Sequence, residues 1–355
     1  MRNRTVKKPK VLITGSGGLV GSQAVRFFSS KGFKVFGIDN DMRRYFFGKN
    51  ASTSGNIKKL KKDILEYKHY PVDIRDFKKI HAIFKKDTFD LIIHTAGQPS
   101  HDWAINEPLT DFSINSTATL YLLENFRRYC PSGVFVFLST NKVYGDTPNR
   151  LSFKETKTRF EVKEDDEFSE GIDETMPIDQ SLHSLFGASK TCADLFVQEY
   201  GRYFNLKTVC FRAGCISGAA HSGCKLHGFL SHLGKSIAAG KTYEIFGYKG
   251  KQVRDNIHAF DLVSAIYQYF LSPKCAEVYN IGGGRHSNIS VLEAVAKFES
   301  ALDKKARLRY IPEPRKGDHK WYISDLTKFK NDFPGWKPVF GIDDIINDIA
   351  KACRN

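Results

Sequence analysis

At 355 residues, with 41% hydrophobic and 13% aromatic side chains, the chain is long enough for two domains or for one large domain plus a lobe. Its formal charge of +15 admits nucleic acid or an anionic small ligand as partner. No basic run is interleaved with aromatics and no zinc-finger or RNP-like motif occurs, so the anionic ligand is favoured and no nucleic-acid partner is expected.

No apolar run reaches the length of a bilayer span, so no membrane partner is expected. The basic start, "MRNRTVKKPK", passes directly into a strand-like run without a signal-peptide core, which points to a soluble, cytoplasmic protein. Cys130, Cys192, Cys210, Cys215, Cys224, Cys275 and Cys353 show no C-x-x-C spacing. That argues against a zinc centre or a disulfide framework, and no metal is expected.

In chain order, "KVLITG" (10–15), "KVFGIDN" (34–40), "YPVD" (70–73), "LIIHTAG" (91–97), "VFVFLST" (134–140) and "LKTVCFR" (206–212) read as strands. Segments near 18–30, 76–86, 106–129 and 183–204 read as helices. Such alternation predicts an α/β fold, a doubly wound parallel sheet of Rossmann type. Residues 1–212 form the dinucleotide-binding domain, with a Lys-rich excursion near 40–66 and an acidic one near 146–182. An excursion as long as the second is usually functional or mobile. Residues 213–355 form mainly a smaller α+β substrate lobe, the chain crossing between the two.

Between the first strand and first helix, "ITGSGGLVGS" places Gly15, Gly18 and Gly21. Glycine is required where backbone turns tightly and approaches a pyrophosphate, and the helix N-terminus then offers N–H groups to the anion. Asp39, at the end of the next strand, suits the adenosine ribose hydroxyls and favours NAD, while Arg43 and Arg44 close behind leave NADP open. Asp73 is a candidate adenine contact or an ordinary strand-end cap.

In "HSLFGASK" (183–190), Phe186 and Lys190 stand four residues apart, on one face of a helix. Together with the glycine turn, Asp39, "HTAG" (94–97), Asn115 and "STNKVYGD" (139–146), this order resembles the extended short-chain dehydrogenase/reductase family, and within it the nucleotide-sugar epimerases. The resemblance covers nearly the whole chain. It implies a cofactor site of Gly15, Ser16, Gly17, Gly18, Leu19, Val20, Gly21, Asp39, Asn40, Asp73, Ile74, Ala96, Gly97, Asn115 and Lys190, occupied by NAD. It also implies a nucleotide-sugar substrate and a homodimer.

In that family a Ser or Thr, a Tyr and a Lys act together, the Tyr exchanging the proton of a sugar hydroxyl. Carried over, the Thr is Thr140, the Lys is Lys190, and Phe186 occupies the Tyr position. Phenylalanine has no proton to give. Lys190, Tyr144, His183, His101 and Cys215 are then alternative proton carriers, Lys190 first among them. Dehydrating relatives carry an Asp-Glu pair after the Thr, and decarboxylating ones a Glu at the second position. Asn141 and Lys142 stand there instead, which leaves reversible oxidation at one carbon. "GKQVRDNIHAFDLVSAI" and "EPRKGDHKWYISD" resemble the stretches that hold a nucleotide diphosphate and ribose, matching Arg254, Arg315 and Asp318, a use for which the planar guanidinium fork is suited. Thr140, Asn141 and Cys215 complete the implied substrate contacts, although Cys215 departs from the small polar residue of relatives. Three functions follow: a nucleotide-sugar epimerase, a non-catalytic or regulatory protein binding NAD and nucleotide sugar, and a related sugar oxidoreductase.

Overall fold

The computed structural model describes residues 8–219, 228–315 and 317–354, so Cys224 lies outside the described residues. The first half runs β1 (Lys10–Thr14), α1 (Leu19–Ser30), β2 (Lys34–Ile38), α2 (Met42–Phe47), α3 (Ser54–Asp63), β3 (Lys68–Tyr70), α4 (Phe77–Lys86) and β4 (Leu91–His94). It continues with α5 (His101–Asn106), α6 (Pro108–Phe112), α7 (Ala118–Tyr129), β5 (Val134–Thr140), the hairpin β6 (Phe153–Glu155) and β7 (Phe160–Val162), α8 (Ser184–Phe204) and β8 (Lys207–Ala213). Then come β9 (Cys215–Ser217), α9 (Phe229–Ala238), β10 (Thr242–Phe246), β11 (Val253–His258), α10 (Ala259–Leu271) and β12 (Glu277–Ile281). The chain ends with β13 (Asn288–Ser290), α11 (Val291–Leu302), β14 (Arg307–Ile311), β15 (Trp321–Tyr322), α12 (Thr327–Asp332) and α13 (Ile342–Arg354).

Seven strands form one parallel sheet in the order β3-β2-β1-β4-β5-β8-β12. Its strands are apolar at consecutive positions because both faces are covered. Val11 and Ile13 of β1 point into a core shared with Ala24, Val25 and Phe28 of α1. Leu12, between them, joins the opposite core with Ile80 and Phe84 of α4 and Leu122 and Phe126 of α7. The seventh strand comes late in sequence: β12 pairs with β8 from Glu277↔Val209 to Ile281↔Ala213. Leu262 and Tyr269 of α10 join Tyr279 and Ile281 of β12 in the α1-side core.

Helix α12 joins the α1-side core through Phe329, and the other C-terminal strands build two smaller sheets. β11 pairs antiparallel with β13 and parallel with β15 and β9, and β10 pairs with β14. Helices α9, α11 and α13 close a separate core around Leu233, Phe298 and Ile349.

Four local expectations differ. The third strand ends at Tyr70, before Pro71, which has no N–H for the ladder. The excursion at 40–66, for which no helix was expected, carries α2 and α3. The 106–129 helix is broken, restarting at Pro108 and passing through a wide turn at Ser113–Thr117. The 146–182 excursion is packed down: Phe168, Ile172 and Met176 are buried with Tyr144 and Trp321, and the Ile172 N–H donates to the Ile323 carbonyl at 2.7 Å. Among the described residues, no helix is long and apolar enough to cross a membrane.

Candidate active site

The chain leaves β1 toward β2 on one side and β4 toward β5 on the other, so a crevice opens between β1 and β4 at the strands' C-terminal ends. A cavity of about 500 Å³ begins there and runs to β10, β11, Arg315, Gly317 and Asp318.

Its first end is the glycine turn. Gly15 has φ +68°, and a Cβ there would stand 2.8 Å from the Ala96 nitrogen. Gly21 lies so close to the turn that a Cβ would fall 2.1 Å from the Gly15 carbonyl oxygen. Helix α1 therefore starts directly on the turn. Among the described residues no side chain caps its N-terminus at Gly18, which leaves first-turn N–H groups facing the cavity. Asp39 steadies the turn: one carboxylate oxygen accepts the Gly17 N–H at 2.9 Å, and the other accepts the Asp41 N–H at 2.8 Å and the Thr53 hydroxyl at 3.0 Å. A carboxylate has about four lone-pair directions, so one remains for a ribose hydroxyl. Glycine cradle, uncapped helix and carboxylate fit a dinucleotide in this cavity.

Gly17, Leu19, Val20, Asn40, Asp73, Ile74, Ala96 and Gly97 line the same end. Two expected cofactor residues turn elsewhere. The Ser16 hydroxyl accepts from Tyr67 at 2.8 Å in the interior, because β2 passes behind it. Asn115 donates to the Gln98 carbonyl, Asp111 and Ser189 and accepts the Gln98 N–H, a buried network made by the wide turn. Asp73 lies beyond β3 and is gripped by Arg75 at 2.7 Å, so its carboxylate caps a turn and pairs with a cation.

At the centre, Thr140 ends β5 and its hydroxyl accepts the Lys142 N–H at 3.2 Å. Phe186 and Lys190, one turn apart on α8, both face the cavity. The Phe186 ring is buried edge-to-face on His101, with centroids 5.0 Å apart. Lys190 donates to the Leu138 carbonyl at 2.8 Å and lies 3.9 Å from the centre of the Phe137 ring. Its burial lowers the ammonium to about 8, against the opposing pull of Asp194.

The far end is cationic. Arg254 pairs with Asp318, and Arg315 lies 4.3 Å from the centre of the Phe246 ring. Burial pushes the Asp318 carboxyl up, but Arg254, Lys142 and Arg315 outweigh it and hold the group below the ordinary carboxylate range. Asn141 and Cys215 line this region, and burial pushes the Cys215 thiol up to about 11.

Two expected proton carriers stand outside the cavity. The Tyr144 hydroxyl donates to Asn280 at 2.8 Å and accepts from Arg212 at 3.2 Å, inside the core. Both His183 nitrogens face backbone carbonyls, those of Ser181 and Val143. His101 does line the cavity, with Nδ1 2.6 Å from the Ser184 hydroxyl, and burial lowers its pKa to about 3. Lys142 is the residue that sequence reading counted only as a missing carboxylate. It lines the cavity, donates to the Gly317 carbonyl at 2.9 Å, and is lowered to about 8 by burial. Its place two residues after Thr140 was the available signal.

The NAD dependent epimerase/dehydratase family model matches residues 11–282. CDP-paratose 2-epimerase of Salmonella typhi is 30% identical over 342 residues, covering 94% of this chain and 96% of that protein. A dTDP-glucose 4,6-dehydratase of Escherichia coli is 28% identical, covering 93% of this chain and 89% of its own. Thermus thermophilus UDP-glucose 4-epimerase, solved with NAD, has the same fold: TM-score 0.79 at 24% identity, over 98% of this chain and 99% of that one.

Proposed function

From the premise that the chain belongs to the NAD dependent epimerase/dehydratase family, we propose that it epimerises a nucleoside-diphosphate sugar, oxidising one sugar carbon and reducing it again from the other face. The observation that carries this reading is the single cavity joining the glycine turn, Thr140 and Lys190 to the Arg254–Arg315 end. A CDP-linked hexose epimerised at C2 is the preferred substrate, in view of the likeness to CDP-paratose 2-epimerase.

The Gly15–Gly21 turn would hold the cofactor's pyrophosphate and Asp39 its adenosine ribose. A negative Asp39 beside Gly17 opposes a 2′-phosphate, which supports NAD over NADP. When bound, NAD supplies the acceptor and donor of hydride. Lys190, fixed against Leu138 and Phe137, orients the nicotinamide ribose. The Thr140 hydroxyl hydrogen-bonds the sugar oxygen that becomes carbonyl. Arg254 and Arg315 neutralise the diphosphate, and Asp318 takes a nucleotide ribose hydroxyl. Asn141 and Lys142 are not carboxylates, which argues against dehydration and decarboxylation. Phe186 supports a second reading, a protein that binds both ligands without turnover.

Incubating the protein with NAD and CDP-, UDP- and GDP-hexoses, and following products by NMR, separates the two. A C2 epimer of a CDP-sugar is expected. Tight binding with no product from any sugar would favour the second reading.

A further inference from the structure

Removal of the tyrosine hydroxyl leaves the central cavity in need of a group that takes and returns one proton. Lys142 is carried by the short turn Asn141–Tyr144, immediately after β5, and this turn packs on α8 beside Phe186: a Cβ on Gly187 would stand 3.1 Å from the Lys142 carbonyl. The amine reaches Gly317, whose Cα would carry a Cβ 3.0 Å from the His101 ring, and His101 in turn rests on Phe186. Lys142, Gly317, His101 and Phe186 thus follow one another around a single wall. Among the described residues, the amine's hydrogen bond to Gly317 uses one of its three protons.

We propose that Lys142 is the acid/base of this site, standing in for the tyrosine that Phe186 replaces. The inference rests on the epimerase reading above. The neutral amine takes the sugar hydroxyl's proton: the O–H bond breaks, an N–H bond forms at Nζ, and the carbon's hydrogen leaves with its electron pair for the oxidised nicotinamide cofactor. When that hydride returns to the carbon's other face, the ammonium gives its proton back to the carbonyl oxygen. No proton or electron is gained or lost over the cycle.

The surroundings separate Lys142 from the alternatives. The titratable and charged groups that act on its amine are Asp318, His319, Arg254 of β11, Cys215 of β9 and His101 of α5. Burial lowers its pKa to about 8, with Asp318 pulling upward and Arg254 downward, so a neutral fraction exists near neutral pH. The charged neighbours of Lys190, namely Asp194 and Asp111, are instead buried in the helical layer behind the cavity. The imidazole of His101 is too weak a base to keep a proton, and the Cys215 thiol is too weak an acid to lose one.

The test compares the native protein, Lys142→Ala, Lys142→Arg, Phe186→Tyr and the Lys142→Ala/Phe186→Tyr double variant, with NAD and CDP-paratose as probes. Native kcat/KM should rise with pH through about 8, as the neutral amine forms. Both Lys142 variants should lose about a hundredfold or more in kcat, the usual worth of general acid–base catalysis, while NAD affinity holds and thermal stability does not fall. Adding Phe186→Tyr to Lys142→Ala should restore turnover. Independently of turnover, acetylation of Lys142 followed by mass spectrometry should show a midpoint near about 8 rather than the ~10.4 of a free lysine. An ordinary midpoint, or native-like turnover in both Lys142 variants, overturns the proposal and leaves the epimerase reading standing. A native protein inert toward CDP-paratose beside an active Phe186→Tyr overturns it in favour of the binding protein. Failure of every form to bind CDP-paratose removes the epimerase reading, and the proposal with it.

Discussion

Two glycines of the first turn serve different purposes, and two substitutions separate them. At Gly21 an added Cβ falls 2.1 Å from the Gly15 oxygen and 2.7 Å from its carbonyl carbon, far inside the 3.4 Å at which ordinary contact begins. Both obstacles are backbone, so Gly21→Ala must lift the start of α1 off the turn by about 1 Å. Overpacking of this kind costs ~1–3 kcal/mol. The lift also pulls the helix N–H groups away from the anion they face, so NAD affinity should fall at least tenfold. At Gly18 the nearest obstacle is the Gly15 oxygen at 3.2 Å, and the remaining space is cavity. Gly18→Leu should therefore leave the thermal midpoint within a degree or two of the native value and abolish NAD binding by occupying the pyrophosphate's place. Calorimetric NAD titration and thermal unfolding of the two variants give four numbers. Native affinity in Gly18→Leu, or native stability in Gly21→Ala, would refute this account of the turn.

Arg254→Ala or Arg315→Ala should weaken CDP-sugar binding by ~1.5–3 kcal/mol in calorimetry, the worth of a charge-assisted bond, and spare NAD. Lys190→Met should stop turnover yet raise the thermal midpoint at pH 7. The native ammonium is lowered to about 8 by burial, so its charge opposes folding fully below that pH, and the opposition fades as pH rises toward the ordinary 10.5. The gain of the variant should accordingly shrink in melts at pH 9 and above. Asp194→Ala should cost ~3–5 kcal/mol in urea unfolding, since it strips the buried Arg212 of its partner, with Nη2 now 2.9 Å from the carboxylate.

What could be read from the sequence followed the strength of the local signal. Parallel strands covered on both faces are continuous apolar runs, so β1, β4 and β5 stand within the segments expected of them. The "YPVD" strand slipped because two apolar residues around a proline look extended, whereas the ladder with β2 needs Lys68 to Tyr70. The break at Pro108 was visible as a proline, but the wide turn that swings Asn115 into Gln98 and Ser189 has no sequence mark. At the site, Gly15, Asp39, Thr140, Lys190, Arg254 and Asp318 were expected and line one cavity. Tyr144 and His183 were equally plausible by residue type, and only packing turned them inward. Lys142 entered the sequence reading only as a position where relatives carry a carboxylate. Its amine is held by the carbonyl of Gly317, 175 positions away.

The late strand β12 bears on synthesis. When residue 213 has been made, six strands of the large sheet exist, yet β8 presents its free edge, with Val209, Cys210 and Phe211 fully buried in the finished fold. That edge waits until residues 277–281 emerge to pair with it. A nascent chain at this stage offers unpaired backbone and apolar side chains to any neighbour, which is the setting for strand-to-strand aggregation. A fragment cut at the end of β8 therefore carries this edge unpaired, and should aggregate more readily than the full chain.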